Sequence, residues 1–194
     1  IRVVGVVTAG NVPLVGFHEF LSVLISGYAL QVKLSSKDSV LLLHLANQLI
    51  KIESRFRPMI QFADQLKNFD AVIATGSDNS ARYFHYYFGK YPHIIRKNRT
   101  SCAVLTGKET DRDIRALGQD VFRYFGLGCR NVSKIYLPKT FDPVRLLQLW
   151  TPFEDVMNNH KYHNNYDYQK SILLINRIPF LDSGAVLLQE SDKR

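Results

Sequence analysis

The chain has 194 residues, with 25 Lys and Arg against 17 Asp and Glu, which gives a net charge of +8. Because 46% of the residues are hydrophobic, burial can offset the entropy lost on ordering, and this excludes an intrinsically disordered chain. A bilayer-spanning helix needs roughly 20 apolar residues, and the longest apolar stretch, Val12–Leu24, is interrupted by Pro13, His18 and Glu19. We therefore expect no membrane span. The charge favours anionic partners, but the basic residues are scattered, so we do not expect nucleic acid as a partner.

Cysteine content and the start of the chain bear on the compartment. Cys102 and Cys129 cannot form a disulfide framework, and no C-x-x-C pair is present to bind zinc. Ile1 begins a strand-like pattern without the basic segment that opens a secretory signal. His160 and His163 form an isolated H-x-x-H pattern, which favours a solvated loop over a metal site. We therefore expect a cytoplasmic protein without a bound metal.

In the first half of the chain, short apolar runs alternate with helical patterns. The predicted strands are Val3–Thr8, Ala29–Leu34, Phe56–Met59, Asp70–Thr75 and Ile94–Ile95. The predicted helices are Leu14–Ser26, Ser39–Glu53, Gln61–Lys67 and Asn79–Phe88. The alternation predicts an α/β fold, an open and mainly parallel sheet with helices on both faces. Such a sheet binds ligands at the carboxyl ends of its strands.

The second half of the chain is less regular. The predicted strands are Ala103–Leu105, Lys134–Leu137, Ser171–Asn176 and Gly184–Gln189. One helix is predicted from Asp111, and another from Asp142 to about Met157, with Pro143 at its first helical position. Residues 158–168 are polar and aromatic and predict no single element. Because the pattern is still open at Arg194, we expect a fragment of a longer protein.

Three turns could carry chemistry: Thr8-Ala9-Gly10-Asn11, Thr75-Gly76-Ser77 and Gly126-Leu127-Gly128-Cys129. The second opens a helix, where free N–H groups and the helix dipole favour a phosphate, although an ordinary capped turn has the same pattern. The glycine-rich loops of the common nucleotide-binding motifs are absent. Cys129 either presents a thiolate to backbone donors or is a small buried residue, the commoner fate of a free cysteine.

Four segments together form a more specific pattern. They are AGNVPL at 9–14, VKLSSKD at 32–38, ATGSD at 74–78 and GLGCRN at 126–131. In this order and at this separation they resemble the aldehyde dehydrogenase superfamily. The resemblance is greatest to its acyl-CoA reductase branch, the fatty acyl-CoA reductases of bacterial bioluminescence and their relatives. It extends over nearly the whole chain and is densest from Val3 to Pro138.

The resemblance implies a Rossmann-like cofactor domain over residues 1–98 and part of a catalytic α/β domain over residues 99–194. It implies that Cys129 is the nucleophile, which takes the acyl group as a thioester. The Asn11 amide and the backbone N–H of Cys129 would hold the oxyanion. The implied cofactor-binding residues are Lys33, Ser35 and Ser36 near the adenosine ribose, Gly76 and Ser77 at the pyrophosphate, and Glu190 at the nicotinamide ribose.

Two departures from the superfamily pattern refine the expected chemistry. Hydrolytic aldehyde dehydrogenases carry a general-base Glu for deacylation, and the matching position here is His93. This favours reduction of an acyl thioester over oxidation to an acid, although His93 could itself act as a base. Ser36 stands where NAD-preferring members often carry Glu. A small neutral residue beside Lys33 and Lys37 leaves room for a 2′-phosphate, which implies NADPH.

We therefore predict an NADPH-dependent acyl-CoA reductase that forms an aldehyde through a cysteine-bound acyl-enzyme. Two alternatives remain open. One is an acyl-phosphate reductase of the same superfamily, and the other is a non-catalytic α/β module that binds nucleotides or nucleic acid, which the net charge supports. The expected partners are an acyl-CoA substrate and either further copies of the chain or an enzyme that supplies acyl groups.

Overall fold

The computed structural model describes residues 2–191. The chain divides into two compact units, Ile1–Arg99 and Thr100–Arg194. No helix in the described part of the chain is both long enough and apolar enough to cross a bilayer.

The first unit is built on a five-stranded sheet with the order β3-β2-β1-β4-β5. Its strands are β1 Val3–Val7, β2 Ala29–Lys33, β3 Ile60–Phe62, β4 Ala71–Thr75 and β5 His93–Arg96. All neighbouring strands are parallel. The connecting helices are α1 Phe17–Ile25, α2 Leu41–Ile52 and α3 Asp78–Phe88. The strand order reverses between β1 and β4, which is where sheets of this kind bind ligands.

Both faces of this sheet are covered. Val6 points into an apolar cluster with Phe20 of α1 and Leu42 of α2. Its neighbour Gly5 faces the opposite side, because side chains alternate along a strand. There a Cβ on Gly5 would lie 2.8 Å from Leu66. The predicted parallel sheet with helices is confirmed.

Three local predictions in the first unit were wrong. Phe56–Met59, predicted as a strand, lies in a 3₁₀ helix, Ser54–Met59, because Pro58 has no N–H for a ladder. Gln61–Lys67, predicted as a helix, instead contains most of β3 followed by a loop. The helix predicted from Leu14 begins only at Phe17, since Leu14 has a φ of 59° and forms a turn.

The second unit combines a parallel strand pair with three helices and a short hairpin. Its elements are β6 Ser101–Val104, α4 Asp111–Phe122, β7 Val132–Tyr136, α5 Val144–Trp150, α6 His160–Ile175, β8 Leu181–Asp182 and β9 Leu187–Leu188. β6 and β7 are parallel, whereas β8 and β9 are antiparallel. The core brings Ile114 and Phe122 of α4 against Leu146 and Trp150 of α5.

Three predictions in the second unit also need correction. Ser171–Asn176 was predicted as a strand but forms the end of α6, which Asn159 caps at its start. The helix predicted to Met157 is α-helical only to Trp150 and continues as a 3₁₀ helix, Thr151–Asn158. The strand predicted at Gly184–Gln189 is reduced to the two residues of β9.

Candidate active site

The carboxyl ends of the parallel strands form one edge of the first unit. Val7 pairs with Lys33 on one side and with Ala74 on the other, and Thr75 pairs with Arg96. Because these ladders are in register, the turns that follow β1, β2 and β4 lie along this edge. Six residues predicted to act on substrate or cofactor belong to these turns or end a strand there: Asn11, Lys33, Ser35, Ser36, Gly76 and Ser77.

The turns after β1 and β2 are packed directly against each other. The Thr8 N–H donates to the Lys33 carbonyl at 3.1 Å, and the Ser35 N–H donates to the Thr8 hydroxyl at 3.2 Å. A Cβ on Gly10 would lie 2.2 Å from the Ser35 hydroxyl oxygen. These contacts hold the start of the turn after β1 against the turn after β2, and the exposed Asn11 follows Gly10 directly.

Lys33, Ser36 and Lys37 are exposed in and beside the second of these turns. The Lys33 ammonium donates to the backbone carbonyl of Asp64. The carboxylate of Asp38, the nearest acidic residue in the sequence, accepts from the Leu14 N–H at 2.8 Å. The turn therefore presents two ammonium groups beside a small neutral residue.

The turn after β4 leads into the N-terminus of α3. The Ser77 hydroxyl caps the helix by accepting from the Ser80 N–H at 3.2 Å. A Cβ on Gly76 would lie 2.9 Å from both Phe84 and Ser80, so the turn is packed tightly onto its own helix. The start of an 11-residue helix supplies N–H groups and a partial positive charge that suit a phosphate.

Sequence reasoning missed a buried ion pair at the same edge. The Glu19 carboxylate on α1 has only 7% of its side chain exposed and accepts from Arg96 at 2.9 Å. The Thr75 hydroxyl donates to the same carboxylate oxygen at 3.5 Å. The signal available in the sequence was a single acidic residue within an otherwise apolar helical stripe. The pair fastens α1 to the ends of β4 and β5.

In the second unit, Cys129 lies in a tight turn between α4 and β7. The Asn131 N–H donates to the Gly128 carbonyl at 3.0 Å and closes the turn around Cys129. Cys129 is exposed, so the buried, inert alternative does not apply. Asn131 is buried, and its side chain bonds to both the turn and the end of α4. Sequence reasoning did not single out Asn131.

Two other residues named from the sequence, Glu190 and His93, are exposed. Glu190 is exposed and lies two residues beyond β9. His93 is the exposed first residue of β5, with its Nδ1 2.8 Å from the Tyr91 carbonyl oxygen. No group of His, Cys, Asp and Glu within residues 2–191 is arranged to hold a metal ion.

A family model described as acyl-CoA reductase (LuxC) matches residues 3–144. The chain belongs to the LuxC family. The match includes the three strand-end turns of the first unit and the Cys129 turn of the second, but Glu190 lies outside it. A search of curated proteins gives no match.

Three of the solved structures similar to this LuxC chain are named as dehydrogenases. The indole-3-acetaldehyde dehydrogenase AldA of P. syringae has a TM-score of 0.72 and 11% identity, over 97% of this chain and 46% of that one. An aldehyde dehydrogenase of Mycobacterium tuberculosis has a TM-score of 0.67 and 15% identity, over 93% of this chain and 43% of that one. A 3,6-anhydro-L-galactose dehydrogenase has a TM-score of 0.75 and 13% identity, over 100% of this chain and 46% of that one. The LuxC chain thus shares their fold and spans less than half of their length.

Proposed function

We propose that this chain supplies the cofactor-binding edge and the nucleophile of an NADPH-dependent acyl-CoA reductase that forms an aldehyde. The observation that carries the proposal is the exposed Cys129 thiol in an ordered turn, within the segment that matches the acyl-CoA reductase family. In this proposal the first unit is the cofactor domain, and the second unit is part of the catalytic domain.

The covalent step begins with attack by the Cys129 thiolate on the thioester carbonyl carbon. The carbon–sulfur bond to Cys129 forms while the carbonyl oxygen becomes an oxyanion. In this proposal the Cys129 N–H donates to that oxygen, and the family resemblance implies the Asn11 amide as a second donor; one such donor is typically worth roughly 3–4 kcal/mol. The oxyanion then collapses and expels coenzyme A as a thiolate, which leaves an acyl group on Cys129. Covalent catalysis of this kind divides one difficult displacement into two easier steps.

NADPH, when bound, supplies the hydride that reduces the acyl group to the aldehyde. The chain offers groups that fit the anionic parts of this cofactor. The N-terminus of α3, with Gly76 and Ser77, suits the pyrophosphate. Lys33 and Lys37 flank the small Ser36 and suit a 2′-phosphate, with Ser35 in the same turn. Glu190 is proposed as a contact of the nicotinamide ribose. After reduction, the carbon–sulfur bond to Cys129 breaks, which releases the aldehyde and restores the Cys129 thiolate.

The proposal also includes the cell compartment and the assembly. We propose a cytoplasmic reductase that works as a homo-oligomer or together with an enzyme that supplies acyl groups. A partner of that kind would suit the chemistry, because an exposed cysteine nucleophile must meet an activated acyl donor before it is oxidised.

Acylation without the reductant is the direct test. Intact-protein mass spectrometry after incubation with a long-chain acyl-CoA, in the absence of NADPH, should show a mass gain equal to one acyl group. Hydroxylamine should remove it, because it cleaves thioesters. Cys129→Ala should abolish the adduct.

Cys102 provides the matched control, since it is also an exposed free cysteine. Cys102→Ala should retain the adduct, and equal labelling of both cysteines would contradict an activated Cys129. An adduct from acyl phosphate but not from acyl-CoA would instead support the acyl-phosphate reductase. No adduct from either donor, together with salt-sensitive binding of DNA or RNA, would favour the non-catalytic module.

A further inference from the structure

Asn131 is the polar side chain around which the Cys129 turn is built. Its exposed fraction is 6%. The side-chain Nδ2 donates to the carbonyls of Asp120 at 2.7 Å and Arg123 at 2.8 Å, with Val121 at 3.3 Å. These carbonyls lie at the C-terminal end of α4, where carbonyl groups have no hydrogen-bond partner within the helix. One amide group therefore caps the helix that precedes the Cys129 turn.

The acceptor end of the same amide holds the turn itself. Asn131 Oδ1 accepts from the Gly128 N–H at 2.8 Å. The turn thus uses the N–H groups of Gly128 and Asn131 internally. Within residues 2–191, no hydrogen bond is donated by the Cys129 N–H. That N–H is therefore available to an oxyanion formed at the thiol.

The chain between α4 and the turn has an unfavourable backbone. Tyr124, Phe125 and Gly126 have φ values of 52°, 58° and 71°. Left-handed conformations are costly for residues with a Cβ, so a structure that contains two of them in succession needs compensating contacts. The bonds of Asn131 to both sides of this segment supply such contacts.

Gly128 leaves room for the side-chain amide of Asn131 because it has no Cβ. A Cβ on Gly128 would lie 2.7 Å from Asn131 Oδ1. A side chain at position 128 would therefore displace the amide or break its bond to the Gly128 N–H. Gly128 and Asn131 are a complementary pair on either side of the nucleophile.

We propose that Asn131 is a positioning residue that orients the Cys129 N–H and thiol for attack on the acyl donor. The inference rests on the proposed role of Cys129 as the nucleophile. Asn131 touches neither substrate nor cofactor in this account and acts through the turn. It should matter most for a reaction that needs the oriented N–H, and least for a reaction that needs only the thiol.

Two reactions of the same sulfur separate these requirements. Acylation by acyl-CoA passes through an oxyanion, whereas alkylation by iodoacetamide does not form one at the reacting carbon. In Asn131→Ala, the acylation rate of Cys129 should fall by about 10- to 100-fold, which is less than the roughly 100- to 1000-fold effect of removing an oxyanion donor, because the Cys129 N–H is misoriented and not lost. Its alkylation rate should stay within about 3-fold of wild type, if the thiol remains exposed. Cys102 in the same chain is the internal reference for alkylation.

Leu146→Val is the control for lost stability, because Leu146 is a core residue of the same unit with 1% exposure. Thermal melting should show both variants folded. Gly128→Ala should repeat the selective loss of acylation, since its Cβ displaces the same amide. If Asn131→Ala does not fold, Asn131→Asp and Gly128→Ala carry the test, because Asp retains the acceptor for the Gly128 N–H and loses the donor to the carbonyls.

The outcomes separate the two claims. An acylation loss no larger than that of Leu146→Val would overturn the positioning role, as would a parallel fall in alkylation, which would indicate a hidden or unfolded thiol. Absence of acylation in the wild type, with both cysteines alkylated normally, would overturn the proposed function and the positioning role with it. Acylation that fails only in the variants supports both.

Discussion

At the scale of single residues, two glycines in the strand-end turns of the first unit are required by packing and not by their own backbone conformation. Neither Gly10 nor Gly76 has a positive φ. Each instead lies where a Cβ would meet a neighbour, Ser35 in one case and Phe84 with Ser80 in the other. The absence of a side chain therefore lets the turn after β1 lie against the Ser35 turn and lets the turn after β4 lie against α3.

Ser36 offers a test of the cofactor preference at one residue. Ser36→Glu places a carboxylate beside Lys33 and Lys37, where the proposed 2′-phosphate would bind. We expect the Kd for NADPH to rise by about 10- to 100-fold through like-charge repulsion, with little change for NADH. Fluorescence titration of both reduced cofactors measures this difference.

Ser39→Glu is the control for Ser36→Glu, because it makes the same charge change at an exposed position three residues away. It should change the Kd for NADPH far less. Equal weakening by both substitutions would indicate a general electrostatic effect and no specific phosphate contact. Equal weakening of NADH and NADPH by Ser36→Glu would also contradict the assignment.

At the scale of elements, the Glu19–Arg96 pair connects α1 with the ends of two strands. Arg96→Ala should destabilise the first unit by about 2 kcal/mol, because among residues 2–191 it leaves the buried Glu19 carboxylate with the Thr75 hydroxyl as its one hydrogen-bond donor. Glu19→Gln should cost less, since Arg96 has 42% of its side chain exposed and can be hydrated. Urea unfolding of the wild type, Arg96→Ala and Glu19→Gln measures the order of their free energies of unfolding.

The exposed Glu53–Arg55 pair is the natural comparison for the buried one. Its atoms approach to 2.6 Å, but 85% of the Arg55 side chain is exposed. Arg55→Ala should therefore lower the free energy of unfolding much less than Arg96→Ala does. The role assigned to the buried pair would be wrong if Arg55→Ala and Arg96→Ala destabilised the protein equally.

The turn before α4 gives the protein a defined sensitivity to acid. The N–H groups of Thr106 and Gly107 and the Thr106 hydroxyl donate to the Glu109 carboxylate, and these bonds lower its pKa from 4.5 to about 2. Because the folded-state pKa is depressed, the stabilisation is present above about pH 4.5 and is lost as the pH falls toward 2. Glu109→Gln should make the melting temperature less dependent on pH in this window.

Glu154→Gln is the control for the acid experiment, since Glu154 is an exposed acidic residue of the same unit. The melting temperature of Glu154→Gln should depend on pH in the same way as that of the wild type. Glu53, whose pKa is also lowered to about 2 by Arg55, titrates in the same window in both variants and cancels in the comparison. A Glu109→Gln curve parallel to the wild type would contradict the assigned role.

Element predictions failed where an apolar composition was compatible with more than one structure. The Ile-Leu-Leu-Ile run at 172–175 has the composition of a buried strand, yet it ends α6 with Leu174 and Ile175 largely exposed. The polar N-terminal half of that helix gave no periodic signal, so its continuity could not be inferred. At Ser54–Met59, Pro58 should have lowered the expectation of a strand.

At the scale of the whole molecule, the parallel sheet was predictable because its strands are short apolar runs buried on both faces. Val6, Val32, Val72 and Ala74 are all at most 1% exposed. The candidate site was only partly predictable. Motif resemblance located the turns, but two buried polar residues beside them were missed. Glu19 pairs with Arg96, 77 residues away, whereas Asn131 bonds to the end of α4, 8 to 11 residues away. The sequence signal for Glu19 is its place in an otherwise apolar helical stripe, and no such pattern marks Asn131 as buried.

The separation between the apolar core of the first unit and its strand-end turns has an evolutionary consequence. The core cluster uses residues within the strands and helices, whereas Lys33, Ser36 and Lys37 are exposed at the edge. Substitutions at these exposed positions can alter ligand preference with little loss of folding free energy. Tolerance is not uniform, however, because Gly10, Gly76 and Gly128 have no space for a side chain. Adaptation to new cofactors or acyl donors should therefore proceed between fixed glycines, by exchange of the exposed residues beside them.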